Sequence, residues 1–386
     1  MESINRAELI KLIQSVFPRL PNNRALAVLV DLPQSTTEDN LDWAERRSLS
    51  TTWAASLKNA VAELQIERVD LLAYANVGSN NADLPEEAFR IAGNLPPIAG
   101  ELPAFGESVS FAQVFADTQL FLAPTEFSTT APLKIAAKKY GFRAATMPGF
   151  SAKMIPALRL DYDQVNRQVG VLKAKLDEAE SAVVVFVVDG ADRFEMKFDL
   201  RFRTAHASGG RFAEAGTAGN LPSGEAYIVP YEGELDERSE TGGILPVQFG
   251  AEMVLYQVEQ NRAVKVLSKG NASSQEAALI LSEPAYSNIA ELGLGVLAGF
   301  GLQPIGENLL DEKLGLHVAF GRSDHFGGIV GSAQFSSPKA VVHLDRIYIP
   351  TVQPRVSVKS VTLGYKNGQK ELLMQDGEYV IFDRPK

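Results

Sequence analysis

SAVVVFVVDGADRFEMKFDLRFR, residues 181–203, marks the point at which the chain changes character. Upstream, short apolar runs alternate with helical patterns, the arrangement of βα units around a largely parallel sheet. Downstream, long helices disappear and alternating strands take over, beginning with RFEMKFDLRFR (193–203). The reading is an α/β domain over 1–190 followed by a mostly β, α+β domain over 191–386. A length of 386 residues agrees, because a single hydrophobic core stops growing at about 250–300 residues.

In the first part, ALAVLVDL (25–32), VDLLAYA (69–75), TQLFLA (118–123) and SAVVVFVVD (181–189) read as buried strands of one sheet. Residues 41–64, 86–93 and 131–141 read as helices, the last closing on a glycine suited to a C-terminal cap. In the second part, 226–230, 252–260, 263–268, 340–349, 356–365 and 378–382 read as strands, and 274–282 and 286–298 as short helices.

Composition narrows the function. The 47 acidic and 37 basic residues leave a net charge of -10, which disfavours a nucleic-acid partner. Without cysteine, a bound metal must be held by oxygen and nitrogen. No run of about 18 apolar residues predicts a membrane span, and the N-terminal stretch lacks the apolar region of a secretory signal. The expectation is a soluble, cytoplasmic protein.

Three of the four histidines, His317, His325 and His343, fall close together in the second part. In AVVHLDRIY, His343 and Asp345 lie two apart on a strand and therefore share a face. His317 follows Glu312 by five residues in LLDEKLGLHVAFG. Glu225, in GNLPSGEAYIVP, and Glu291, in NIAELGLGVLAG, are acids in apolar or glycine-rich settings. Alone, each has an ordinary reading: a surface pair, a loop acid, a helix cap, a solvated charge. Together Glu225, Glu291, Glu312, Asp345, His317 and His343 supply four carboxylates and two imidazoles, which would repel one another unless cations intervened. Two divalent ions would balance them, and the mixed donor set suits zinc, manganese, cobalt or iron better than calcium. Such a pair activates water for hydrolysis. The segment GLGVLA (293–298) fits a dinucleotide-binding pattern, but no βαβ unit encloses it, and it is rejected as a nucleotide site.

The segments NLPSGEAYIVP, IAELGLG, DEKLGLHVAFGRS and VVHLD resemble, in order and separation, the thermophilic aminopeptidase family that contains aminopeptidases T and S. The resemblance covers roughly 215–350. It implies a cytoplasmic, homodimeric metallopeptidase that removes N-terminal residues from short peptides or other small amides. It also implies two divalent ions per chain, zinc, cobalt, manganese or magnesium, and an N-terminal domain that restricts access to them. By that likeness Glu291 bridges the ions, while Glu225, Glu312, His317, His343 and Asp345 complete their shells. Glu225 or Glu291 is then the candidate base. One departure bears on catalysis: where the family carries a tyrosine seven residues after the histidine matching His317, this chain has Asp324 followed by His325. His325, turned inward, would be the replacement donor toward the oxyanion. Gly315 and Leu316 likewise stand where the family commonly shows Gly-Thr.

Two other functions compete. An iron enzyme that opens dihydroxypyridine rings looks like a relative on this fold. It would use one Fe(II) with two histidines and one carboxylate. A catalytically altered metal-binding relative is the third reading, suggested by Asp324 and His325.

Overall fold

The computed structural model describes residues 2–382, which form two compact units, neither of them continuous in sequence. The first runs to Asn166 and regains Gly210–Ser223; the second takes Arg167–Gly209 and the chain from Gly224 onward. Strands β1 (Ala25–Leu32), β2 (Arg68–Ala75), β3 (Glu87–Ile91), β4 (Gly106–Ser110), β5 (Leu120–Thr125) and β6 (Arg143–Pro148) belong to the first unit. Strands β7 (Ala179–Val188), β8 (Asp192–Asp199) and β9 (His206–Ser208) lie in the second, and β10 (Ala218–Asn220) returns to the first. The second unit then holds β11 (Glu225–Ile228), β12 (Gly242–Phe249), β13 (Glu252–Glu259), β14 (Arg262–Val266) and β15 (Ile289–Gly295). It ends with β16 (Leu316–Gly321), β17 (His343–Ile347), β18 (Val356–Tyr365), β19 (Lys370–Gln375) and β20 (Glu378–Tyr379).

The first unit is an α/β domain with a mixed, mostly parallel sheet in the order β10-β6-β5-β1-β2-β3-β4. Pairs from β10 to β2 are parallel, and β3 and β4 add antiparallel. β1 and β5 are buried at every position, as strands covered on both faces are. EAFRI was expected within a helix over 86–93 and is instead β3. Its register sets Ile91 against Leu71 and Phe89 against Ala73, so pairing with β2 overrides local helix propensity.

Asp31, near the carboxyl end of β1, is fully buried. It accepts backbone hydrogen bonds from Glu126 and Phe127 at 2.7 and 3.1 Å. Burial outweighs these bonds and the nearby Arg46, raising its pKa from 3.8 to about 7. The folded state therefore binds this proton more tightly than the unfolded chain does. Its contribution to stability is complete below the unfolded pKa and is lost as pH rises through about 7. The urea midpoint should fall between about pH 4 and 7, and Asp31→Asn, which cannot ionise, should flatten that fall. An undiminished fall in the variant would exonerate Asp31.

The second unit holds two antiparallel sheets, of eight strands (β14-β13-β12-β8-β7-β18-β19-β20) and five (β17-β16-β15-β11-β9). The run 181–189, expected in the first sheet, belongs to the eight-stranded one, so the chain leaves the first unit well before residue 190. β7 and β8 form a hairpin about Asp189 and Gly190, both with positive φ. Asp-Gly between two strands is a strong hairpin signal. Residues 286–298 are likewise not a helix: β15 occupies most of them, buried at every position. Residues 274–282 do fall within a helix, Asn271–Ser282. Among the described residues no helix is long and apolar enough to cross a membrane.

Candidate metal centre

The five-stranded sheet brings ligating side chains together on one face, because cross-strand partners point the same way. Glu225 on β11 stands opposite Gly295, and His317 on β16 stands opposite Gly293. Ala319 lies between Glu291 and Asp345 and is partner to both, and His343 pairs with Gly321. Each donor therefore has beside it a residue with no side chain or only a methyl group. The alternating small residues of AELGLG and HVAFG make a floor, and five donors stand around it. Glu312 joins from the short 3₁₀ turn Glu312–Leu314 that precedes β16.

A Cβ built on Gly293 would lie 1.9 Å from Nε2 of His317. Gly293→Ala must therefore displace the imidazole. The expected result is a loss of metal affinity of about 10–100-fold or more, measured by competition with a chromophoric chelator. Unchanged affinity would remove His317 from the ligand set.

Nε2 of His317 lies 3.1 Å from Oε1 of Glu291 and 3.5 Å from Oε2 of Glu225. Nε2 of His343 lies 3.3 Å from Oε2 of Glu291 and 3.6 Å from Oδ1 of Asp345. Glu291 thus offers one oxygen to each ring. The Nδ1 atoms face backbone carbonyls, of Arg322 at 2.8 Å for His343 and of Gly315 at 3.4 Å for His317. A carbonyl only accepts, so Nδ1 carries a hydrogen; Nε2, turned to the cluster, donates to the carboxylates and is the nitrogen whose lone pair an ion would take in place of that proton.

The electrostatics suit a cation. Burial pushes the Glu291 carboxyl up, but hydrogen bonds from His317 and His343 outweigh it and hold the pKa at about 2. Burial likewise opposes a proton on His317, yet Glu291 and Glu225 raise its pKa to about 9. For Glu312 burial prevails and lifts the pKa to about 8. Donor atoms of Glu225, Glu291 and His317 lie within 4.8 Å of one another, a group that could hold a metal ion. Oε2 of Glu225 is buried and accepts no hydrogen bond from the described residues. An unsatisfied carboxylate oxygen beside two other donors is a position a divalent ion would satisfy. The residues present fit such an ion.

Two neighbours were not anticipated. Lys313 is buried with its Nζ 2.5 Å from both Glu225 Oε1 and Glu312 Oε1. Burial opposes its charge, but the two carboxylates prevail and raise its pKa. In sequence it reads as part of a solvated Asp-Glu-Lys triplet; the available signal was the apolar residues on either side of that triplet. Tyr227, two residues after Glu225 and therefore on the same face, stands opposite Gly293. Its ring packs between His206 and Phe326, with centroids 5.1 and 4.9 Å away. Burial, reinforced by Glu291 and Glu225, raises its pKa and keeps the phenol protonated.

His325 stands beside the cluster, its ring centroid 5.4 Å from that of His343 and its side chain 37% exposed. Burial, with the charges of His343 and Arg322, lowers its pKa to about 4, leaving a neutral imidazole. Asp324 is held by Arg322 at 2.6 Å.

No family model and no curated protein matches this sequence. Solved structures do. The chain is similar to 2,5-dihydroxypyridine dioxygenase from Pseudomonas putida KT2440, with a TM-score of 0.59 and 15% identity over 99% of both chains. It is also similar to wild-type AmpT from Thermus thermophilus, with a TM-score of 0.53 and 15% identity over 97% of this chain and 99% of that one. At this identity the likeness is one of fold, and it extends to both proteins.

Proposed function

We propose that the chain is a metal-dependent aminopeptidase acting on short peptides or other small amides through a dinuclear centre. The observation that carries this reading is Glu291, whose two carboxylate oxygens reach the two imidazoles while further carboxylates flank both. Six donors exceed what one ion with open positions uses. The fold shared with AmpT supports the same reading.

Glu225, Glu291, Glu312, His317, His343 and Asp345 would hold the ions. When bound, such ions lower the pKa of a coordinated water and polarise the scissile carbonyl. Lys313 engages Oε1 of Glu225, leaving Oε2 as the oxygen free to face an ion. Tyr227 supplies a neutral hydroxyl close to the carboxylates, a donor for a developing oxyanion that the Asp324 position lacks. His325, neutral and next to His343, is a second donor at the rim.

One observation favours a mononuclear iron dioxygenase instead. Lys313 already pairs with Glu225 and Glu312, which withdraws two carboxylates from a second ion and leaves Glu291, His317, His343 and Asp345, enough for the two histidines and one carboxylate of a single iron. Metal analysis after saturation separates the readings. About two ions per chain with release of N-terminal residues from aminoacyl reporters supports the peptidase. One Fe(II), with oxygen uptake on a dihydroxypyridine and no peptide turnover, overturns it.

A further inference from the structure

Strand β17 has a second face. His343 and Asp345 point to the metal centre, whereas Leu344 and Arg346, one residue out of phase, point away from it. They help to line a separate cavity of about 560 Å³ beside helix Asn271–Ser282. Small-molecule pockets span about 300–1,000 Å³, and much of this wall is apolar: Phe249, Leu279, Val342 and Leu344.

Arg346 is under-committed. Its side chain is only 14% exposed, yet among the described residues it makes a single hydrogen bond, from Nη2 to the Tyr286 hydroxyl at 2.8 Å. Its Nε is buried without a partner. The nearest carboxylate oxygen, Oε1 of Glu276, is 4.0 Å away, and the other oxygen of Glu276 accepts from the hydroxyls of Tyr256 and Tyr286, both at 2.7 Å. The Phe249 ring lies 4.5 Å from the guanidinium carbon and shields one face of the group from water. A largely desolvated guanidinium with donors to spare is suited to a planar carboxylate, which can accept two parallel bonds from it. Glu283 lies on the same wall, its Oε2 already bonded by the Ser336 amide and hydroxyl. Its charge would repel a ligand carrying more than one anionic group.

We propose that this cavity binds a small apolar molecule carrying one carboxylate, with its oxygens on Arg346 and its body against Leu279, Val342 and Leu344. The site stands apart from the metal-centre reading, since it uses the opposite side of the strand and needs no ion.

The test is calorimetric titration of chelator-treated, full-length protein with 3-phenylpropionate. Saturable binding is expected, and 3-phenylpropionamide should bind at least about tenfold more weakly, as loss of one charge-assisted pair implies. Arg346→Gln should abolish that preference for acid over amide. Leu279→Trp changes a residue 37% exposed and fills the cavity, so it should abolish binding even if the arginine variant fails to fold. His317→Ala should leave binding as it was. Equal affinity for acid and amide, absence of binding, or binding lost in His317→Ala but kept in Leu279→Trp would each overturn the proposal. The metal content of the untreated protein is read separately, so failure here leaves the peptidase reading where it stood.

Discussion

Lys313→Met should destabilise the metal-free protein by about 3–5 kcal/mol, the cost of stripping one partner from a buried ion pair. The side chain is 3% exposed and is shared by Glu225 and Glu312, so its removal leaves two carboxylates facing each other in a low-dielectric pocket. Methionine fills nearly the same volume, which confines the loss to the charge. Two further observations should accompany it. The penalty should shrink as pH falls toward about 8, because Glu312, raised to that value by burial even with Lys313 beside it, rises further without that cation and takes up a proton in the variant before it does in the parent. A divalent ion should also stabilise the variant more than the parent, since it enters a site that lacks a cation. Denaturant unfolding with and without zinc measures both. A variant as stable as the parent without metal would mean that Lys313 does not hold these carboxylates together.

Glu291→Gln should have the largest effect on function. The amide keeps the shape of the side chain but gives up the charge that both imidazoles face. On the dinuclear reading this removes the bridge, so metal affinity should fall by more than the about 10–100-fold that losing an outer partner costs. Peptide turnover should vanish with it. On a mononuclear iron reading whose ligands are His317, His343 and Asp345, Fe(II) affinity should change by only a few fold. One variant, titrated with zinc and with Fe(II), therefore discriminates between the functions. Tight binding of two ions by Glu291→Gln would exclude Glu291 as their bridge.

The clustering of the candidate residues was legible because histidine is scarce here and because His-x-Asp has only one reading on a strand: a shared face. What surrounds them was not. The segment around Glu291 favours a helix by propensity, and only its pairing with β11 and β16 makes it extended. Glu291 pairs with Ala319, 28 residues downstream, and its neighbour Leu292 with Ile228, 64 residues upstream, beyond any local window. Lys313 illustrates the same limit, since an acid followed by a base reads as hydrated surface until the fold encloses it. The cavity behind β17 could not be read at all, because its walls come from β12, helix Asn271–Ser282 and the residues around 340. By contrast, the Asp189-Gly190 turn was a local signal that the expected domain boundary passed over.

The floor of Gly293, Gly295, Ala319 and Gly321 has a bearing on how this architecture diversifies. Because room at the centre is set by the residues opposite the donors, exchanging one donor for another of similar reach leaves strand spacing untouched. Chemistry and scaffold become independently heritable: a lineage can rewrite its reaction by point replacements around a constant basin. A saturation library should then accept new identities at the donors while rejecting every enlargement of the basin itself.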